Sequence, residues 1–235
     1  MTSWWPATTS SRWWPSAADL GGRRCCHNGW MNWYDQHILP WLIDIACGLP
    51  MVQTKRQWLV PQARGRVLEI GMGTGRNLPF YDRSQVTQLV GVDPALQMHR
   101  LAQRRSRKAG LDVEMVGLSA ERLPLPDDGF DTVVCTYTLC SIPDPAAALH
   151  EVRRVLKPGG QFLFCEHGRA PDTAVAKWQD RLQPLWKPWA GGCHLDRDVP
   201  LLLRDAGLQV NLQQGYTAGP RPLTYHYWGQ ARKTA

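Results

Sequence analysis

With 235 residues, 43% of them hydrophobic and 20% charged, the chain suits one α/β domain and is neither a low-complexity nor a fibrous sequence. Its formal net charge of +7 would suit a phosphate-rich partner. However, Arg100, Arg104, Arg105, Arg107 and Lys108 crowd one stretch that reads as a solvated helix face without interleaved aromatics for base stacking, so no nucleic-acid partner is expected. The 7 cysteines are odd in number and form no Cys-x-x-Cys pair, which excludes a disulfide framework and points to reduced thiols in a cytoplasm-like compartment.

Residues 1–30 carry Trp4, Trp5, Trp13, Trp14 and Trp30 among Ser, Thr, Arg and Gly, with vicinal Cys25 and Cys26 and no helical or strand period. An unstructured extension is expected there, with Met31 as an alternative start and residues 31–235 as the folded domain; an aromatic membrane-surface anchor is the other reading. The segment lacks the uninterrupted apolar core of a secretory signal. The apolar stretch from Ile38 to Val52 is broken by Pro40, Asp44 and Pro50, too short to span a bilayer but able to lie at its surface. Ile38, Trp41, Leu42 and Ile45 recur at helical spacing and predict a first amphipathic helix over about 33–47, closed by Gly48 and Pro50. Tyr34 and Asp35 at its start either close over a ligand or cap the surface. A polar connector follows.

Five short apolar runs then read as buried strands: Arg66–Ile70, Leu89–Asp93, Val113–Val116, Thr132–Thr136 and Gln161–Cys165. Helical segments lie between them, most clearly Pro145–Leu156, where Leu149, Val152 and Leu156 share a face opposite Arg153 and Arg154. Pro158-Gly159-Gly160 turns the chain into the next strand. Such alternation is the pattern of a doubly wound α/β sheet, whose right-handed crossovers bring the carboxyl ends of the strands to one ligand-binding rim. Tyr225 and His226 fall in a terminal hairpin, where strand alternation alone explains them.

The first strand ends in Glu69-Ile70-Gly71-Met72-Gly73-Thr74-Gly75-Arg76. Closely spaced glycines let the backbone turn sharply and a ligand approach. The spacing is Gly-x-Gly-x-Gly, with Arg76 where the dinucleotide motif has its last glycine. Glu69 would repel a pyrophosphate but tolerate an amino group and a sulfonium. This, and the absence of a Tyr-x-x-x-Lys pair, disfavour an NAD(P)-dependent oxidoreductase. Asp93, at the tip of the second strand, suits both hydroxyls of a ribose and can also begin the helix after Pro94.

The series VLEIGMGTG, GVDPALQM, ERLPLPDDGFDTVVCTYTLCSI and EVRRVLKPGGQFLFCEH resembles the class I S-adenosylmethionine-dependent methyltransferases of the type 11 group, from Trp33 to the C-terminus. More narrowly it is similar to the methyltransferase-like 7 thiol methyltransferase branch and its bacterial relatives. The resemblance implies a Rossmann-like, seven-stranded, mostly parallel sheet with helices on both faces and an antiparallel last strand. It implies that Glu69, Gly71, Gly73 and Gly75 surround the methionine part of S-adenosylmethionine, Asp93 holds its ribose, Met98 flanks the adenine and Thr136 lies behind the sulfonium. Ser119-Ala120 stand where many relatives place an Asp-Ala pair, so the carboxylate that receives the adenine amino group is missing.

On the acceptor side, Glu166-His167 follow the fifth strand on the ligand-binding rim, and His167 is the candidate to orient or deprotonate an acceptor; a hydrogen-bonded loop histidine is the alternative. Cys193-His194, with Asp196 nearby, end a helix bearing Trp178, Trp186 and Trp189 that is expected to cap the pocket. No second cluster completes a zinc site there, so no metal is expected. The tryptophans favour a small apolar acceptor. The resemblance makes a thiol the first choice, with a phospholipid headgroup or a quinone-like phenol open. A cytoplasmic enzyme with peripheral membrane contact fits these features.

Overall fold

The computed structural model describes residue 34 and residues 37–233; the expected extension over 1–30 and the candidate Asp35 lie outside the described residues. The chain runs α1 (Leu39–Cys47), α2 (Pro50–Leu59), β1 (Gly65–Ile70), β2 (Val86–Val92), α3 (Leu96–Ala109), β3 (Val113–Val116), β4 (Phe130–Thr136), α4 (Pro145–Val155), β5 (Leu156–His167), α5 (Thr173–Trp189), α6 (Val199–Asp205), β6 (Leu208–Tyr216) and β7 (Tyr225–Lys233). The seven strands form one sheet in the order β3-β2-β1-β4-β5-β7-β6. β1 to β5 pair in parallel, and β7 runs antiparallel to both β5 and β6.

Successive side chains on a strand point to opposite faces, and both faces are apolar. Leu68, Val90, Val133 and Phe162 pack on one side with Leu149 and Val152 of α4 and Leu203 of α6. Val67, Leu89, Val134 and Leu163 pack on the other with Leu59, Leu78 and Ala102. Each fully buried Val, Leu or Phe among them contributes roughly 1.5–3 kcal/mol. α4 starts where Asp144 accepts a hydrogen bond from the Ala147 amide (3.0 Å) ahead of Pro145.

The strand order reverses between β1 and β4, and in open α/β sheets ligands sit beyond the carboxyl ends at such a switch point. That is where the glycine bend after β1 and the end of β4 face each other.

Two expectations are corrected. The polar connector after Gly48 contains a ten-residue helix, α2, whose buried side is Val52, Arg56 and Leu59; a buried arginine on that face hid the apolar period. The stripe expected to bury α1 instead faces outward, with Trp41 71% exposed. What fixes this helix is polar and lies on its other side, at Asp44.

Candidate active site

The bend after β1 depends on glycine. Gly71 has φ +70°, and a Cβ there would lie 2.0 Å from Thr138 Oγ1. Gly75, at φ +80°, seats the loop against α3, because a Cβ would meet Leu78 Cδ1 at 2.6 Å and the Ala102 Cα at 3.1 Å. Between them the Gly73 amide donates to Asp93 Oδ2 (2.7 Å), while the Ala95 amide donates to Asp93 Oδ1 (2.8 Å). Burial raises the pKa of this carboxyl against the two amide donors. Each of its oxygens accepts one bond and keeps a lone pair. The helix that follows starts at Leu96 with Ala95 as its N-cap and no side-chain cap, so Asp93 tightens the turn before the helix and does not cap it, and its free acceptor sites remain available to a diol.

These groups border a cavity of about 270 Å³ whose wall includes Gly71, Gly73, Asp93, Met98, Ser119, Ala120 and Thr136. Met98, Leu118, Ile142 and Pro143 give one end an apolar slot. Ser119 hydrogen-bonds through Oγ to Glu121 Oε2 (2.7 Å), so a carboxylate does stand behind the position where the Asp is missing, though it does not border the cavity.

Glu69 and Gly75 do not border the cavity. The Glu69 carboxyl accepts from Asn77 Nδ2 (3.0 Å) and Tyr81 Oη (2.7 Å). Burial raises its pKa to about 7, against the hydrogen bond from Tyr81, the charge of Arg56 and the hydrogen bond from Asn77. Its influence passes through Asn77 to a second buried group, Arg56, whose Nη1 donates to Asn77 Oδ1 (2.5 Å) and Thr136 Oγ1 (2.6 Å). Arg56 is 4% exposed, and its guanidinium borders the cavity. It brings a positive charge to the same cavity as Asp93, which sequence reasoning missed together with α2.

A third carboxylate ties α1 over the loop. Asp44 accepts from Arg76 Nη2 (2.5 Å), Arg105 Nη1 (2.7 Å) and Thr74 Oγ1 (2.5 Å). Burial opposes ionisation here, yet the donors Arg105, Arg76 and Thr74 outweigh it and hold this carboxyl well below the usual range. Arg105, expected on a solvated face, thus belongs to the fold's own clasp. Tyr34 has a different place from the one expected: it donates to the Trp189 carbonyl (3.0 Å) and packs edge-on against the Trp189 ring.

Ile43, Cys47, Tyr137 and Ser141 are shared with a second cavity of about 480 Å³. Its wall is largely apolar: Leu39, Leu42, Met51 and Val52 from α1 and α2, Trp186 and Trp189 from α5, and Leu223. Trp178, expected with the other two, is absent from it and lies under Arg181. Tyr137, at the seam between the cavities, holds φ +55°, an uncommon conformation for a bulky residue. His167 is in this wall, and so is His226, which alternation had explained away. The His226 Nδ1 lies 2.9 Å from the Thr224 carbonyl, which can only accept, so Nδ1 carries the proton and the buried Nε2, with no partner among the described residues, presents a lone pair. Burial, then the neighbouring His167, push its pKa down to about 3; the ring serves as a hydrogen-bond acceptor and is a poor proton store.

Cys193 does not act with His194. His194 Nδ1 stands 3.5 Å from Asp196, whereas the Cys193 thiol turns inward to Cys140 (3.5 Å) and His167 Nδ1 (3.8 Å). The grouping that the sequence suggested at Cys193-His194 is therefore replaced by one assembled from three distant segments.

A doubly wound sheet with a glycine bend at its switch point and a buried carboxylate at the tip of the adjacent strand defines a nucleoside-binding α/β domain. The chain matches the family described as a methyltransferase domain over residues 68–164. It is 38% identical over 136 residues to the rat "Thiol S-methyltransferase TMT1B", covering 57% of this chain and 55% of the relative. It is 31% identical over 160 residues to "Phosphatidylethanolamine N-methyltransferase" of Cereibacter sphaeroides, covering 66% of this chain and 75% of the relative. The crystal structure of YcgJ from Bacillus subtilis superposes with a TM-score of 0.60 at 20% identity, covering 79% and 98% of the two chains. The chain belongs to the class I S-adenosylmethionine-dependent methyltransferases. It spans little more than half the length of the rat thiol methyltransferase it matches.

Proposed function

We propose that this protein transfers the methyl group of S-adenosylmethionine to a small apolar thiol. The observation that carries this reading is the pair of adjoining cavities, one with the Asp93 carboxylate and Arg56 in its wall, the other almost wholly apolar, meeting at Tyr137. The polar residues fit the cofactor. Asp93 retains an acceptor site on each oxygen for the ribose diol, the slot with Met98 and Ile142 suits adenine, and Arg56 offers a counter-charge for the methionine carboxylate. Gly71 and Gly73 keep the loop low enough for close approach, and Thr136, anchored by Arg56 and Asn77, borders the same space.

The cofactor brings an already activated methyl group. What remains for the chain is to hold the acceptor in line with it and keep water away, positioning that can be worth ~7–11 kcal/mol. The residues Ile43, Cys47 and Tyr137 stand between the two cavities. A thiol, with a pKa near ~8.5, needs little help to become a nucleophile. His167 and His226 line its chamber and can orient it through hydrogen bonds.

An aminophospholipid is the second reading. Trp41 and Ile45 of α1 and Leu185 of α5 are exposed, as a lipid-facing surface would require. Among the described residues no helix is long and apolar enough to cross a membrane. Incubation with radiolabelled cofactor and a panel of alkyl thiols, phenols and phosphatidylethanolamine vesicles separates the two readings. The thiols are expected to give the highest kcat/KM. Efficient labelling of lipid alone would favour the second reading, and labelling of none would overturn both.

A further inference from the structure

We propose that Cys140, His167 and Cys193 bind a zinc ion whose fourth coordination position opens into the apolar cavity. The three ligand atoms lie within 4.8 Å of one another. Tetrahedral zinc, with Zn–S ≈ 2.3 Å and Zn–N ≈ 2.0–2.1 Å, requires a sulfur–sulfur separation of about 3.8 Å and a sulfur–nitrogen separation of about 3.5 Å. The separations found are 3.5 Å between the sulfurs, 3.8 Å from Cys193 to His167 Nδ1 and no more than 4.8 Å from Cys140 to His167, so an ion is held once the imidazole moves toward Cys140 by up to about an ångström. Cys140 and Cys193 are buried, and all three side chains border the apolar cavity.

The surroundings fix these groups more firmly than a contact between two neutral thiols would need. Cys140 sits in the turn after β4, His167 ends β5 and Cys193 follows α5. The His194 amide donates to the Cys140 carbonyl (2.8 Å), stitching the two cysteine segments together. Gln183 Nε2 donates to the Cys193 carbonyl (3.2 Å). The buried Glu166 accepts from the amides of Thr138 (3.0 Å) and Cys140 (3.2 Å), while the Arg197 guanidinium donates to the carbonyls of Leu139 and Ile142 (2.6 Å for the latter). A carboxylate and a cation thus clamp the turn that carries Cys140. Hydrogen-bonded support of this kind around the ligands is what metal sites use to hold geometry.

Two thiolates and an imidazole select a borderline-soft cation such as zinc, and three protein ligands with one open position are the arrangement of catalytic zinc. Resting on the thiol reading, the open position has a use. An acceptor thiol that binds there loses its proton to solvent as the Zn–S bond forms. The bound thiolate then attacks the sulfonium methyl, its new S–C bond replacing the one to the cofactor, and the neutral thioether dissociates.

The full chain, purified under reducing conditions and dialysed against zinc, should hold about one zinc ion per chain by atomic emission. The Cys140→Ser/Cys193→Ser double variant should hold almost none, and His167→Ala should lose affinity by at least about 10-fold, while both keep cofactor affinity by calorimetry, which shows that they are folded. Cobalt(II) in place of zinc should give thiolate charge-transfer bands and tetrahedral d–d absorption, and an alkyl thiol should shift the latter. Equal metal content in the parent and double variant, or a Cys140–Cys193 disulfide in protein that takes up no metal after reduction, would overturn the site. Cobalt bound without response to thiol would overturn the open position. Metal content does not depend on turnover, so a failed acceptor panel with zinc retained would refute the thiol and leave the site standing.

Discussion

The cofactor-side cavity takes its glycine bend and its carboxylate from two consecutive strand ends, Gly71–Gly75 after β1 and Asp93 after β2, and its guanidinium, Arg56, from α2. The apolar cavity beside it is drawn from α1, α2, the turn after β4, the end of β5, α5 and β7. The first is specified by backbone needs that only glycine meets and by the buried charged groups Asp93 and Arg56, so it is intolerant of change. The second is specified by side-chain volume delivered from far-apart segments, so it can be reshaped without disturbing the first. This division lets one fold keep its cofactor while its acceptor changes.

The largest effect is expected where the polar cavity has least slack. Gly71→Ala forces a Cβ onto Thr138 at φ +70°; it should cost roughly 2–4 kcal/mol of stability and leave no cofactor binding detectable by calorimetry. A variant with unchanged Tm and affinity would break the contrast at once. Asp93→Ala removes the acceptor for the Gly73 and Ala95 amides together with that proposed for the ribose. At about 1.5–3 kcal/mol per charge-assisted bond, cofactor affinity should fall about 100-fold in the same measurement. If affinity is kept, the nucleoside lies elsewhere.

Glu69 gives a smaller effect, visible as pH dependence. Its folded pKa is raised from 4.5 to about 7, so the neutral form is favoured in the fold. The stability linked to that protonation is fully present below pH 4.5 and is lost as pH rises through about 7, up to roughly 3 kcal/mol. Glu69→Gln should remove this slope, and urea titrations between pH 5 and 8 should show a flatter profile than the parent. Parallel profiles would mean that the carboxyl is ionised throughout.

The same contrast explains what could be read from the sequence. The strands of β1 to β5, the helix α4 and the glycine bend were legible because strand runs, turn residues and helix starts are local signals. Asp93 was legible as the acid closing an apolar strand. Arg56 was not, since the buried face Val52-Arg56-Leu59 carries a charge where a helix period demands an apolar residue. Asp44 looked like a flaw in an apolar stretch until Arg76 and Arg105 closed on it. His226 was lost in strand alternation, and the meeting of Cys140, His167 and Cys193 depends on long-range packing that no spacing encodes. Glu69 is expected from the resemblance at the methionine part of the cofactor, yet it lies outside the cavity wall and hydrogen-bonds Asn77 and Tyr81.

The arrangement of two chambers around Tyr137 is tested most directly by a crystal structure of the protein with S-adenosylhomocysteine and an alkyl thiol. Both ribose hydroxyls are expected on Asp93, the adenine against Met98, and the cofactor sulfur facing the thiol across the Tyr137 seam. A nucleoside bound away from Asp93, or a thiol outside the chamber lined by His167 and Trp186, would contradict it.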